Sequence, residues 1–244
     1  MRGERLGRGR VSGHAGGVYR ERGSRLGGGA VVWGVRSEAA GTGLVLPDGC
    51  MDLLWFDGTL QVAGPDTRAY DVERVPGTLT VGVRFAPGTG PRVFGVPACE
   101  LTDRRVPLAD LWPASARVAE LDERVAAAAD PGAALEAVAA ARLAGGEPDA
   151  VWRRGAVAAL ARGTGVRETA ERLGLSERQL RRRSLAAFGY GPKTLARVLR
   201  MQRALALARG GTPLAEVAAV AGYADQAHLA REVKGLAGVP ISAL

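Results

Sequence analysis

The pattern Ala-x-x-x-Gly followed by an apolar residue occurs twice near the C-terminus, at Ala170, Gly174 and Leu175 and again at Ala218, Gly222 and Tyr223, 48 residues further on. Before each glycine, apolar side chains recur at helical spacing, and after it a second helical pattern begins within a few residues. Each copy therefore reads as helix, tight turn, helix. One such unit constrains little, because two helices joined by a short turn are common. Two in the same order, joined by one basic helix, restrict this part of the chain to a pair of helix-turn-helix units.

In the first unit Val166, Ala170 and Leu173 fall at i, i+4 and i+7 and form one buried stripe. Gly174 stands where the chain needs a left-handed residue to leave the helix. Ser176 is placed to cap the next helix, which carries Glu177, Arg178, Gln179, Leu180, Arg181, Arg182 and Arg183. Leu180 is predicted to face inward, with Arg178, Arg181 and Arg182 on the opposite face, Gln179 beside them and Arg183 pointing elsewhere.

The second unit repeats the logic. Leu214, Val217, Ala218 and Ala221 make the stripe, Gly222 the turn, and Asp225 starts or caps a helix in which Leu229, Val233 and Leu236 pack inward. Gln226, Ala227, His228 and Arg231 are left to face out. Arg and Gln can bind guanine and adenine edges bidentately, which suits a recognition helix. Between the units, Pro192, Lys193 and Thr194 open a helix running to Arg209, with Leu195, Val198, Leu199 and Leu205 as its stripe. It reads as a rigid spacer. A separation of about 34 Å between the two recognition helices would let one monomer enter successive major grooves.

Charge locates the same module. Residues 1–36 hold 8 basic and 2 acidic side chains, residues 37–149 hold 9 and 17, and residues 150–244 hold 16 and 6. Net charge thus runs from +6 through −8 to +10, and only the C-terminal part calls for a polyanion partner. No stretch is long and apolar enough to span a membrane, and no basic, Trp/Phe-backed surface helix is evident. The N-terminus lacks the apolar segment of a signal peptide, so a reduced, cytoplasmic protein is expected. Cys50, Cys99, His14 and His228 cannot make a four-ligand structural zinc site by themselves, and no metal or cofactor is expected.

The remainder divides by texture. Residues 1–17 read as a flexible basic tail, the alternative being an arm for a minor groove. From about 18 to 100 the signals are β-type, within a β-rich domain expected at 18–112, and the texture changes after Asp103. Met51–Phe56, Asp57-Gly58 and Thr59–Ala63 form a strong hairpin pattern, and Leu79–Phe85 alternates as another strand. Residues 114–129 and 131–144 read as helices separated by Asp130-Pro131, within a helical connector and linker at 113–148. A helix from about Asp149 to Arg162 opens a C-terminal domain at 149–244. The expected class is α+β: a β-rich domain, a helical connector, and an all-α domain with two helix-turn-helix units.

Residues 155–244 resemble the DNA-binding domain of the AraC/XylS family of transcription regulators. The likeness rests on the two turn motifs, the Gly-Tyr-Gly-Pro segment at Gly189–Pro192 and the Gly-Tyr-x-Asp-Gln start of the second recognition helix at Gly222–Gln226. It implies sequence-specific binding of double-stranded DNA, usually as an activator contacting RNA polymerase. The residues that would carry this are Ser176, Glu177, Arg178, Gln179, Arg181, Arg182, Lys193, Thr194, Asp225, Gln226, Ala227, His228 and Arg231. Ser184 departs from the family, which usually has an apolar residue there, and Leu229 and Val233 replace commonly larger ones. No further module is expected after Leu244.

The segments Leu46–Leu53, Val62–Thr67 and Gly82–Gly88 resemble a domain often found before AraC-type pairs. By analogy it is a β-rich, cupin-like sandwich or barrel, acting as an effector sensor or dimerisation module. A small-molecule effector and a homodimer are the partners that analogy brings. Asp48, Cys50, Asp52, Trp55 and Arg84 are candidate ligand residues, against the plainer readings of a turn, a buried thiol and an exposed strand carboxylate. Cys50 has no histidine partner in this region, so no enzyme is expected. Flanking carboxylates disfavour a reactive thiolate, although an oxidation-sensing role stays open. Two rivals are weighed beside the regulator. A DNA-repair or methyl-transfer protein would need a cluster of metal-binding cysteines, and an architectural binder would show no sequence preference.

Overall fold

The computed structural model describes residues 13–14, 17–112, 115–144 and 150–244. Most of the expected basic tail and the glycine-rich linker at 145–148 lie outside them. Nine strands are described: β1 (Gly13–His14), β2 (Gly17–Gly23), β3 (Val31–Ser37), β4 (Gly41–Val45), β5 (Met51–Phe56), β6 (Thr59–Ala63), β7 (Tyr70–Arg74), β8 (Leu79–Phe85) and β9 (Arg105–Pro107). Seven of them form an antiparallel sheet in the order β1-β2-β3-β8-β5-β6-β9, and β4 pairs with β7 as a separate ribbon. The Asp57-Gly58 turn joins β5 to β6 as expected, with both residues at positive φ (49° and 76°).

Period-two alternation gives this sheet two unlike faces. Met51, Leu53, Val62, Val83, Phe85 and Val32 enter the core, and Trp55 packs against the same side. Two helices cover that face, α2 (Ser115–Ala126) and α3 (Pro131–Leu143), preceded by the short α1 (Gly90–Phe94). Asp130 caps α3 by accepting from the Ala133 N–H, and Pro131 opens it. Within the expected connector, residues 115–144 thus do more than connect: Val118, Val125, Leu135, Val138 and Ala139 belong to the core of the sheet. Glu136 fixes α3 to β2, accepting from both Arg22 nitrogens and from Ser24 Oγ at 2.7 Å. Burial alone would raise its pKa, but these donors and the Arg25 N–H hold it below the usual range.

The C-terminal part is all helical: α4 (Ala150–Ala161), α5 (Val166–Arg172), α6 (Glu177–Phe188), α7 (Pro192–Arg209), α8 (Leu214–Ala221) and α9 (Gln226–Ala237). The duplicated motif is now physical. Gly174 and Gly222 take left-handed φ values of 66° and 85°. The next residue's N–H returns to the alanine carbonyl, Leu175 to Ala170 at 2.9 Å and Tyr223 to Ala218 at 2.8 Å. That six-to-one bond closes the helix, and the small buried alanine lets the following helix cross close by. Leu195 and Val198 of α7 belong to the core of the first unit, whereas Met201, Ala204 and Leu205 belong to that of the second. One 18-residue helix, about 27 Å long at 1.5 Å per residue, therefore serves both units as a common beam.

Candidate nucleic-acid interface

Both candidate recognition helices start from side-chain caps. Ser176 Oγ accepts the Gln179 N–H at 3.2 Å, and Gln179 Oε1 accepts the Ser176 N–H at 2.8 Å, a reciprocal capping box. Asp225 Oδ1 accepts the His228 N–H at 2.6 Å. Ser176, Gln179 and Asp225 are thus occupied in starting their helices. His228 departs from its expected outward orientation. Its Nδ1 accepts from the Ala224 N–H at 3.2 Å, its Nε2 lies 3.4 Å from Glu232, and its ring meets Tyr223 edge-on. Capping the turn and pairing with Glu232 explain why the imidazole folds back.

What remains outside is coherent. Glu177, Arg178, Arg181 and Arg182 on α6, and Gln226, Ala227 and Arg231 on α9, are exposed, as is Lys193, while Thr194 is half-buried at the start of α7. Leu180 is buried and Arg183 turns aside to lie over the Trp152 ring at 5.7 Å, both as the helical spacing predicts. Ala230 is also exposed beside Arg231 and was not among the sequence-derived residues; its i+3 relation to Ala227 is the signal that points to it. Behind α9, Glu232 accepts from Arg200 at 2.7 Å, and Arg200 lies over the Tyr223 ring at 4.8 Å. Burial and the Glu232 charge push the Tyr223 phenol up to about 12. This knot ties α7 to α9, the second candidate recognition helix.

A second cluster occupies the other face of the sheet. Arg84 Nε lies 3.2 Å from Asp48 and 3.5 Å from Asp52, and the Trp33 indole donates to Asp52 at 2.6 Å. Gly82 faces Trp33 across the strands, and a Cβ there would stand 2.6 Å from the indole, so the glycine lets the ring lie flat. Tyr19 stacks on Trp33 at 6.3 Å. Burial, with Asp48 adding to it, pushes Asp52 up to about 6 against the pull of Arg84. Burial also raises the Cys50 thiol well above its usual range, with Asp48 contributing. The structure brings Asp48, Cys50, Asp52 and Arg84 together. It does not bring Trp55, which alternation sends to the core face. Trp33 and Tyr19 were missed by sequence reasoning; a glycine inside an otherwise apolar strand was the available signal.

The two parts meet at the loop between β4 and β5. Asp48 Oδ1 accepts the Cys50 N–H at 2.9 Å and Gly49 is left-handed at φ 82°, which makes the expected turn. Gln202 of α7 donates to the Pro47 carbonyl at 2.6 Å, and Leu46 packs into the core of the second unit. Tyr190 is buried beside Gly49, its hydroxyl without a hydrogen-bond partner. Thr102 Oγ1 donates to the Gly189 carbonyl at 2.9 Å, and the Ala69 N–H to the Leu236 carbonyl at 2.7 Å.

Residues 169–244 match the family described as a helix-turn-helix domain. The C-terminal domain is an AraC-type helix-turn-helix domain. Residues 30–107 match a domain of unknown function, DUF6597. The helix-turn-helix match supports a DNA-binding transcription regulator carrying an N-terminal domain. Among solved structures, an apo single-residue variant of ToxT from Vibrio cholerae strain SCE256 is similar at 11% identity and a TM-score of 0.47, over 88% of this chain and 96% of that one. ToxT from Vibrio cholerae O395 is similar at 10% identity and 0.46, over 92% and 96%. Wild-type ToxT of strain SCE256 with an unsaturated fatty acid bound is similar at 10% identity and 0.45, over 88% and 93%. No curated protein matches the chain. Among the described residues no helix is long and apolar enough to cross a membrane.

Proposed function

We propose that this regulator is sequence-specific and acts as an activator, with α6 and α9 in adjacent major grooves and RNA polymerase as a protein partner. The observation that carries the reading is the exposure of two capped, outward-facing helices on one shared beam, α7, within the segment of net charge +10. Arg178, Arg181, Arg182 and Arg231 are the base or phosphate contacts, with Lys193 at the backbone. Neutralising phosphates supplies much of the affinity and gives it a steep salt dependence. Ser176, Gln179, Asp225 and His228 act by holding the helix ends rather than by touching bases.

Residues 17–144 form the sensing or dimerisation unit in this reading, and residues 150–244 the DNA-binding unit. Asp48, Cys50, Asp52 and Arg84 are its ligand residues, with Trp33 as an additional wall. The loop at 46–50 would pass a change there directly to α7, because it holds Asp48 at one end of its turn and Gln202 and Tyr190 at the other. Footprinting at moderate salt tests the DNA reading: one protected site covering two adjacent major-groove segments supports it. Uniform, weak protection along any duplex makes the chain an architectural binder instead.

A further inference from the structure

The caps allow the two recognition helices to be compared position by position. Ser176 and Asp225 are equivalent N-caps, since each is extended and accepts from the N–H three residues on. From there Leu180 pairs with Leu229, Ser184 with Val233, and Gly189 with Gly238, both glycines left-handed after their helices. The third position of each helix is withdrawn into its own turn, Gln179 onto Ser176 and His228 onto Ala224. The seventh is also spent, Arg183 over Trp152 and Glu232 on Arg200. Over the first seven residues of each helix four exposed positions are left: Glu177, Arg178, Arg181 and Arg182 on α6, and Gln226, Ala227, Ala230 and Arg231 on α9.

These sets differ in kind. A guanidinium pairs bidentately with guanine O6 and N7, a carboxylate accepts from the cytosine amino group, a carboxamide pairs with adenine, and an alanine methyl packs on the thymine methyl. The α6 set holds three guanidinium groups and one carboxylate; the α9 set holds one carboxamide, two methyls and one guanidinium. Only Arg182 and Arg231 occupy the same place. We propose that the operator is built of two dissimilar segments, one rich in G·C pairs under α6 and one rich in A·T pairs under α9, the second holding a single guanine read by Arg231. This rests on the reading of α6 and α9 as base-contacting helices.

Selection of bound duplexes from a random library by the full chain tests it, run beside an Arg182→Ala, an Arg231→Ala and an Ala227→Arg/Ala230→Arg variant. All four positions are exposed, so the fold is not at stake. The native chain should enrich two segments about one helical turn apart, one G·C-rich and one A·T-rich. Arg182→Ala should relax one position of the first segment, and Arg231→Ala the guanine of the second, each by about tenfold or more in preference. The double variant should convert the second segment towards the composition of the first. Two segments of equal composition, or a double variant that leaves the second segment unchanged, overturns the proposal while leaving a sequence-specific regulator standing. Loss of affinity spread evenly over all sequences in the arginine variants also overturns it, by reassigning both arginines to phosphates. Enrichment of no sequence at all overturns it together with the specific-regulator reading.

Discussion

The two helix-turn-helix units share a backbone plan but not an interior. Their turn glycines, caps and terminal glycines correspond, although the second turn is one residue longer (Gly222 to Asp225 against Gly174 to Ser176). Yet where the second unit buries Val217 and Val233, the first buries Thr169 and Ser184. They are also braced differently. The first unit leans on the sheet-bearing part through Thr102 and Gly189, and Phe188 packs near Gly88. The second is held to α7 by the Arg200–Glu232 pair and touches the sheet-bearing part through Leu236 and through Leu46, which packs into its core. A unit with an apolar core can rely on its own packing, whereas one with buried hydroxyls gains from a neighbour. The pair shows that a few turn positions fix the geometry and leave the stability of each unit to be set separately.

The largest expected effect comes from making the second core resemble the first. Val233→Ser removes methyls from a fully buried site and leaves a hydroxyl among Val217, Leu229 and Leu236. The lost transfer energy, the small void and the unpaired hydroxyl together should cost about 3 kcal/mol. Urea unfolding followed by helical circular dichroism would read this. A change below about 1 kcal/mol would mean that the second core tolerates polarity as the first does, and the contrast would fail.

The bracing difference is sharpened by two equivalent glycines. Gly189 and Gly238 are both left-handed, at φ 83° and 74°, so alanine at either should cost about 1 kcal/mol of backbone strain. A Cβ on Gly189 would also stand 2.4 Å from Pro65 Cγ and 2.7 Å from Thr102 Oγ1, while on Gly238 it meets nothing within 4 Å. Gly189→Ala should therefore cost a further ~1–2 kcal/mol by overpacking. It should speed hydrogen exchange in residues 98–103, and Gly238→Ala should not. Equal exchange in the two variants would show that the first unit does not depend on this contact.

Much of the helical part was legible in the sequence because its signals are local. Gly174, Gly222, Ser176, Asp225 and Pro192 each act within one turn of helix, and the inward stripes follow from the 3.6-residue period. The hairpin at Asp57-Gly58 was legible for the same reason. What escaped was decided by partners distant in sequence or by which face a strand presents. His228 reads as a surface residue until Glu232 and the Ala224 N–H claim its two nitrogens. Trp55 reads as a companion of Asp52 until the register of β5 sends the two to opposite faces. The packing of α2 and α3 onto the sheet, and the seating of Tyr190 beside Gly49, depend on contacts that no spacing rule encodes.

The smallest effect runs in the opposite direction. Ser184 is fully buried in α6 and its Oγ has no hydrogen-bond partner. An unsatisfied buried hydroxyl is destabilising by about 1 kcal/mol or more, and alanine is the better helix former. Ser184→Ala removes one oxygen from the site, so the void it opens is smaller than a methyl group. Stability of the helical part should rise by about 1 kcal/mol, with affinity for DNA unchanged because Ser184 is buried whereas Arg178, Arg181 and Arg182 are exposed. A loss of stability would mean instead that the hydroxyl is satisfied in solution by a buried water. The first unit's core would then be a hydrogen-bonded one, and its contrast with the Val217 and Val233 core would be one of chemistry rather than of stability.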